Sequence, residues 1–181
     1  MLRDGRDVAV SLFKEKWIRP LPLDEKSGFQ VAALHWLWKL ERGRENGKRI
    51  TSDYLEVRYE DLVGDPQETL RHVSRFIGYD LDYDYIRNHA IGTLVTPNSS
   101  FRLATNQYQV PPVRRWKELL SHADIDMLQS TLCTMLRDLG YPIEGCEPPH
   151  DPRIHVRRIV YSGLSDFRLW CKTKLETIEH A

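Results

Sequence analysis

The spacing of apolar residues predicts a chain made mostly of helices. In residues 29–44, apolar side chains recur at every third or fourth position, which is the period of a helix with one buried face. A second stripe follows Ser121, which forms a capping pair with Asp124, and it ends before Gly140 and Pro142. The side chains that these two stripes place in the core include Trp36, Trp38, Leu132, Cys133 and Leu136.

Two short segments have the pattern of strands. Residues 54–58 alternate between apolar and polar side chains, which is the period of a strand with one buried face. The segment Met1 to Arg3 is predicted to be the end of another strand, and Asp7 is expected to cap a helix that runs toward Trp17. Because one strand cannot form a sheet alone, either the fold is mostly helical or its other strands lie upstream of Met1.

A helix start follows the strand of residues 54–58. Asp65 suits the N-cap position, Pro66 the first helical position, and Glu68 stands three residues after the cap. Gly78 is expected to end this helix in a left-handed conformation. The apolar face of this helix is predicted to consist of Leu70, Val73, Phe76 and Ile77.

The C-terminal part of the chain predicts a separate helix. Residues 146–153, which precede it, have the composition of a Pro-rich linker. In the middle of the chain, a shorter helix is expected over residues 82–90. An amphipathic helix is predicted over residues 154–178, with an interruption at Gly163 left open. The expected organisation is therefore a partial domain over residues 1–145, the linker, and a C-terminal helix that packs on that domain or on a partner.

Composition limits the classes of function. The 181 residues contain 26 Lys plus Arg and 26 Asp plus Glu, so the formal net charge is zero and nothing favours a nucleic-acid partner. Three widely spaced cysteines argue against a disulfide framework and a zinc site, and no His, Cys and Asp spacing indicates a metal. No apolar run is long enough to span a membrane and the N-terminus does not have the pattern of a signal peptide, so we expect a reducing, cytoplasmic compartment.

The opening segment, residues 3–11, is the first place where chemistry is expected. Arg3 ends a predicted strand, Gly5 permits a tight turn, and Ser11 lies about one turn into the helix that follows. A strand end, a turn and a helix N-terminus together form an anion site, and an arginine there presents two donors to phosphate oxygens. A charged surface turn would have the same sequence pattern.

Two further segments carry candidate binding groups. Tyr59 follows the strand of residues 54–58 at the edge where open α/β sheets bind ligands, although a half-buried tyrosine at a sheet edge would look the same. The second segment, Val113-Arg114-Arg115-Trp116-Lys117, follows a polar stretch of residues 92–112. Arginine beside tryptophan suits a phosphate and a ring, but a solvated basic turn with one anchoring tryptophan fits equally.

In this order, the three segments resemble the sulfotransferase family that uses 3′-phosphoadenosine-5′-phosphosulfate (PAPS). RDGRDVAVS resembles the family's segment for the 3′-phosphate of the nucleotide. RYEDLVGDPQETLRHVSRFIG resembles its strand–helix segment, and VRRWKELLS resembles its late loop. The similarity covers roughly residues 1–140 and implies an α/β fold like that of the P-loop kinases, truncated at the N-terminus, of which the part present here is mostly helical.

The resemblance assigns a role to individual residues. Arg3 and Ser11 match the positions that hold the 3′-phosphate, and Tyr59 matches an aromatic position near the adenine. Arg115 and Trp116 match the late loop that closes over the nucleotide. The nucleotide-binding residues implied are Arg3, Ser11, Tyr59, Arg102, Arg115 and Trp116.

The chain departs from the family pattern in two ways. Arg114 stands where the family has glycine, which bears on the backbone path of the late loop and on the role of Arg115. The Gly-rich loop that binds the 5′-phosphosulfate and the catalytic base, a His or Glu, have no counterpart here and are expected upstream of Met1. His35 and His72 lie in helical patterns and are expected to be structural.

Three interpretations follow from the resemblance. The chain is the C-terminal portion of an enzyme that transfers a sulfuryl group from PAPS to a hydroxyl or amine of a small molecule or glycan. Alternatively, it is a short protein that binds the nucleotide without catalysis and covers its sheet edge, for instance as a homodimer formed through the C-terminal helix. The third interpretation is a helical interaction protein that keeps the motifs without their function. The identity of the acceptor is not predicted by the sequence.

Overall fold

The structure divides into two compact units. It is a computed structural model that describes residues 1–18, 28–89, 113–143 and 152–179, with side chains as far as residue 174 in the last range. The first unit consists of residues 1–3 and 52–113, and the second of residues 4–51 and 114–181. The predicted loop of residues 92–112 lies outside the described residues, as does most of the predicted linker.

The second unit contains a helical core. Its helices are α1 (Gly5–Lys14), α2 (Gly28–Gly47), α6 (Trp116–Leu119), α7 (His122–Asp138) and α8 (Pro152–Glu179). Helix α2 packs against α1, α7 and α8, and α1 also contacts α6 and α7. The expected core residues are buried, namely Trp36, Trp38, Leu132, Cys133 and Leu136.

Local signals explain the ends of α7 and the packing of α1 on α2. The Ser121 hydroxyl accepts a hydrogen bond from the backbone N–H of Asp124, as the sequence predicts, and Gly140 follows the helix with a φ of +70°. Gly5 lies against the Trp36 ring so closely that a Cβ atom there would stand 2.7 Å from a ring carbon. Glycine at this position therefore permits the two helices to approach.

The first unit contains shorter helices that bury little. They are α3 (Tyr59–Gly64), α4 (Pro66–Ile77) and α5 (Tyr83–His89). Both predicted ends of α4 are confirmed, because the Asp65 carboxylate accepts a hydrogen bond from the N–H of Glu68 and Gly78 has a φ of +69°. None of the residues in these three helices is buried, and Ile77 is 51% exposed.

The predicted strand at residues 54–58 is wrong as a strand, although Arg58 at its end has an extended backbone. A single parallel bridge joins Leu2 and Arg58. The N–H of Leu2 donates to the carbonyl of Val57, and the N–H of Tyr59 donates to the carbonyl of Leu2, both over 2.7 Å. Among the described residues, no further backbone pairs extend this bridge into a ladder of strands. The mostly helical character is confirmed, and the P-loop-kinase-like α/β fold remains a prediction.

One expectation about a helix boundary is also wrong, and the open question at Gly163 is answered. Helix α1 begins at Gly5 with Asp4 as its N-cap, so Asp7 is a residue of its first turn rather than its cap, and the helix ends at Lys14. Helix α8 continues through Gly163 without interruption. A glycine within a helix costs only about 1 kcal/mol, which the packing of α8 on α2 can offset.

Candidate functional site

A buried ion pair occupies the N-terminus of α1. The Asp4 carboxylate caps the helix by accepting a hydrogen bond from the N–H of Arg6 over 2.9 Å. The Arg6 side chain folds back and donates to the same carboxylate through Nε (2.9 Å) and Nη2 (2.7 Å). Arg6 and Asp4 are 1% and 2% exposed. The amide of Arg6 therefore has a carboxylate partner within the chain, where the sequence had suggested an anion.

The remaining contacts of Arg6 tie α1 to distant parts of the second unit. Its Nη1 atom donates to the Gln129 side chain (3.3 Å) and to the carbonyl of Pro142 (3.0 Å). The guanidinium carbon lies 4.1 Å from the centre of the Trp116 ring. Because a buried charge is costly without partners, these contacts identify Arg6 as a structural residue of the second unit.

Asp7 holds the late basic turn. Its carboxylate is buried and accepts hydrogen bonds from the backbone N–H groups of Arg114 (2.8 Å) and Trp116 (3.0 Å). Arg114 adopts a φ of +66°, a left-handed conformation that favours glycine. Arg114 thus holds a backbone conformation that glycine adopts more easily, and Asp7 fixes it there.

The side chains of this turn divide between solvent and core. Arg114 and Arg115 are exposed, whereas Trp116 is 4% exposed and packs on Arg6. This is the arrangement of a basic turn anchored by one tryptophan. Arg115 is placed where an anion could reach it, and the nucleotide contact predicted for Trp116 stays a prediction.

Arg3 and Tyr59 come together in the first unit. The Arg3 guanidinium carbon lies 4.8 Å from the centre of the Tyr59 ring. The backbone bridge between Leu2 and Arg58 places the two residues on neighbouring segments. Both side chains are half-buried, and Tyr59 begins helix α3. The pair combines a planar cation with an aromatic face, which are the groups that bind a phosphate and a nucleobase.

The other predicted binding residues belong to the second unit or lie outside the described residues. Ser11 is exposed on α1 in the second unit, the unit that also contains Arg115 and Trp116. Arg102 lies outside the described residues. Sequence analysis missed the roles of Asp4, Arg6 and Asp7, since charges two or three residues apart in a turn have the same pattern on a solvated surface.

His35 has a structural environment in the second unit. Its Nδ1 atom lies 3.0 Å from the Tyr161 hydroxyl. Burial, and to a smaller extent the nearby Lys39 charge, lower the pKa of His35 below its usual value of 6.5. His72, by contrast, is exposed on α4. Among the described side chains, no cluster of His, Cys, Asp and Glu could hold a metal ion.

The comparison with family models agrees with the resemblance. Residues 1–83 match the model described as the sulfotransferase family. No solved structure matches the chain. In the described part of the chain, no helix combines the length and apolar character needed to cross a membrane.

The relatives that match are carbohydrate sulfotransferases. Carbohydrate sulfotransferase 7 of Mus musculus is 30% identical over 125 residues, which cover 67% of this chain and 25% of the relative, and that of Rattus norvegicus gives the same values. Carbohydrate sulfotransferase 1 of Danio rerio is 30% identical over 91 residues, which cover 49% of this chain and 21% of the relative. The matched region is thus about a quarter of the length of the first two relatives. On the family model and these relatives together, the chain belongs to the sulfotransferase family.

Proposed function

We propose that this chain binds the adenosine end of PAPS within a sulfotransferase that acts on a glycan hydroxyl. The observation that carries the proposal is the Arg3 guanidinium above the Tyr59 ring, at a distance of 4.8 Å. Both residues lie within residues 1–83, the region that matches the sulfotransferase family. The relatives are carbohydrate sulfotransferases, which supports a glycan as the acceptor.

Each binding residue has a proposed task. Arg3 donates hydrogen bonds to the 3′-phosphate, because a guanidinium matches phosphate oxygens in geometry and charge. The Tyr59 ring packs against the adenine, since a base–aromatic contact needs only two flat apolar faces. The family resemblance suggests further groups that bind the nucleotide and its phosphates, namely Ser11, Arg102 and Arg115. Trp116 contributes by anchoring the basic turn, because Arg6 covers its ring.

The reaction of the whole enzyme would be a group transfer at sulfur. The oxygen of the acceptor hydroxyl forms a bond to sulfur while the bond from sulfur to the 5′-phosphate oxygen breaks. The hydroxyl proton passes to a base, and adenosine 3′,5′-bisphosphate leaves. The residues of this chain would bind and orient the donor, which lowers the entropic barrier to the reaction. No Gly-rich loop with the GxxxxGK(S/T) pattern occurs in this sequence, and no residue of this chain is proposed as the base.

Nucleotide binding tests the proposal directly. Isothermal titration calorimetry with adenosine 3′,5′-bisphosphate is expected to give a binding constant that Arg3→Ala weakens by about 10- to 100-fold, the loss of one charged hydrogen-bonded contact. The same substitution should leave the affinity for adenosine 5′-monophosphate nearly unchanged, because that ligand has no 3′-phosphate. Tyr59→Leu should weaken both ligands to a similar degree.

A matched control separates the site from general electrostatics. Arg71 is an exposed arginine of the same unit that pairs with Glu68, and Arg71→Ala should change neither affinity. If Arg3→Ala and Arg71→Ala weaken nucleotide binding equally, the loss of affinity is due to the net charge of the chain and not to a specific contact with Arg3. If the chain binds neither nucleotide, the proposed role of Arg3 and Tyr59 is wrong.

The isolated chain is expected to lack turnover. Incubation with PAPS and a desulfated glycan should release no adenosine 3′,5′-bisphosphate above background, because the chain holds no proposed base. Turnover that Arg3→Ala abolishes would contradict this expectation and would place the base among the residues present here.

A further inference from the structure

Helix α8 uses one face to pack on α2. On that face Tyr161 is buried against the core formed by Val31, Leu34 and Trp38. The Asp166 carboxylate accepts hydrogen bonds from the Trp38 indole (2.9 Å) and from Arg42 (2.6 Å). The helix is therefore fixed to the second unit in a defined rotation.

The opposite face of α8 is apolar and exposed. Its large side chains recur every three or four residues and so form one stripe along the helix. Each is between 43% and 60% exposed. The rings of Phe167 and Trp170 stack with their centres 6.1 Å apart. The stripe consists of Val156, Ile159, Val160, Leu164, Phe167 and Trp170.

Helix α8 has an excess of basic over acidic residues although the chain as a whole is neutral. It contains six Arg and Lys and three acidic residues; Asp166 is paired with Arg42, and Arg158 is paired with Glu41. By helical periodicity, Arg153 and Lys174 lie at the two ends of the stripe and Arg168 lies along one edge. All three are exposed. An apolar stripe bordered by cations matches a surface that is apolar inside and negatively charged outside.

We propose that α8 binds the surface of an anionic lipid membrane, with the stripe in the interfacial region and the basic residues at the lipid headgroups. A basic amphipathic helix with exposed Trp, Phe and Leu lies in the plane of such an interface. No described helix is long and apolar enough to cross a membrane. The packing face stays on α2, and α8 holds the second unit against the membrane.

The distribution of charge disfavours a second copy of the chain as the occupant. If two stripes paired in antiparallel orientation, Arg153 of one copy would lie near Lys174 of the other. In parallel orientation Arg153 and Lys174 of one copy would each lie near the same residue of the other. Like charges in such positions repel, whereas phosphatidylserine headgroups attract them.

Cosedimentation of the 181-residue chain with vesicles tests the proposal. The chain should bind vesicles of phosphatidylcholine with phosphatidylserine and bind vesicles of phosphatidylcholine alone much more weakly. Arg168→Gln with Lys174→Gln should weaken binding by about fivefold for each charge removed. Phe167→Ser with Trp170→Ser should weaken it by about tenfold or more, because two large apolar groups then no longer enter the interface.

Two variants sharpen the test. Trp17 is 60% exposed and lies outside α8, so Trp17→Ser is a matched control that should leave vesicle binding unchanged. Gly163 faces open space within the exposed side of α8, so Gly163→Leu should extend the stripe and strengthen binding severalfold. Circular dichroism should show the same helix content in every variant.

The outcomes separate the membrane from a protein partner. Equal binding to neutral and anionic vesicles, or binding that the charge variants do not change, overturns an anionic surface as the partner. A dimer in analytical ultracentrifugation that Trp170→Ser dissociates, without vesicle binding, assigns the stripe to a second copy instead. Nucleotide affinity is measured separately, so failure here leaves the proposed nucleotide site untouched.

Discussion

The two units of this chain form helices by the same local rules but bury them very differently. In the first unit, α4 has a side-chain N-cap and a left-handed glycine at its C-cap, yet none of its residues is buried. In the second unit, α7 has similar ends and six of its residues are buried. Well-formed helix ends therefore do not indicate how much of a helix the fold covers.

The two units also differ in how deeply they bury charged side chains. Arg6 in the second unit is 1% exposed and paired with a buried carboxylate, whereas Arg71 in the first unit is 56% exposed beside Glu68, which is 53% exposed. The family match at residues 1–83 includes residues of both units. The region that identifies the family thus contains both buried and exposed residues. Substitutions in the two units should therefore differ in how much they lower the free energy of unfolding.

The largest difference is expected between the two arginines. Arg6→Met should lower the free energy of unfolding by about 3–5 kcal/mol, because it leaves the Asp4 carboxylate buried without its partner. Arg71→Met should lower it by less than about 0.5 kcal/mol, since exposed ion pairs contribute little. Urea unfolding followed by circular dichroism reports the helices of both units. Tryptophan fluorescence reports the second unit, where all five tryptophans lie.

The comparison fails if the two arginine variants lose similar stability. It also fails if Arg6→Met is nearly neutral, because the buried network would then contribute no net stability. Asp4→Asn provides a second check, since it removes the charge on the other side of the same pair and should also be strongly destabilising.

Truncation of apolar side chains should give the next largest difference. Leu136 in the second unit is fully buried, and Leu136→Ala should cost about 2–5 kcal/mol through lost burial and the cavity that remains. Ile77 in the first unit is 51% exposed, and Ile77→Ala should cost less than about 1 kcal/mol. Both values are measured by urea unfolding, and they are comparable when the dependence of the unfolding free energy on urea concentration is the same in both variants. A cost at Ile77 equal to that at Leu136 would mean that another part of the protein covers the apolar face of α4.

Two residues with a positive φ allow a comparison of smaller effects, in which the two substitutions should change the stability in opposite directions. Arg114 has a φ of +66° and Gly78 a φ of +69°. Arg114→Gly should raise the free energy of unfolding by about 1 kcal/mol, because it removes the clash of a Cβ with the backbone. Gly78→Ala should lower it by about as much, and a Cβ at Gly78 would meet no neighbour, so the cost is conformational. Thermal unfolding curves measure both changes.

A loss of stability in Arg114→Gly would contradict this account. It would show that contacts of the Arg114 side chain outweigh the strain of its backbone. The two hydrogen bonds that Asp7 accepts are to backbone N–H groups, so they remain in either variant.

The features that the sequence predicts correctly are those that depend on neighbouring residues. The caps at Asp65 and Ser121 satisfy backbone groups within three positions, so the pattern that predicts them contains all the residues involved. Trp36 and Trp38 are buried as expected, since both belong to a long helix; Trp36 lies against Gly5 of α1, and the Trp38 indole donates to Asp166 of α8.

The features that the sequence misses depend on distant partners. Both Asp4 and Asp7 suit a helix cap, and only the return of the chain at Arg114 and Trp116 shows that Asp7 has another task. The partner of Arg6 at Gln129 stands 123 positions away. The strand expected at residues 54–58 fails for the same reason, because a strand exists only where other backbone pairs with it.

The smallest expected effect concerns the protonation of His35. Its pKa is lowered from 6.5, mainly by burial and then by the Lys39 charge, so the folded state favours the neutral ring. The unfolded state therefore binds more protons as the pH falls through 6.5, and the contribution of His35 to stability is fully present above that value. It is lost progressively as the pH falls from 6.5 toward the lower folded pKa. Urea unfolding between about pH 8 and pH 5 should show this loss in the natural sequence and a weaker pH dependence in His35→Gln.

Tyr161→Phe tests the cause of the shift. It removes the hydroxyl that lies 3.0 Å from His35 Nδ1 but keeps the ring that helps to bury the imidazole. Because burial is the main cause, the pH dependence should persist in this variant. Its disappearance would assign the lowered pKa to the hydroxyl contact, and an unchanged slope in His35→Gln would assign the pH dependence to other groups altogether.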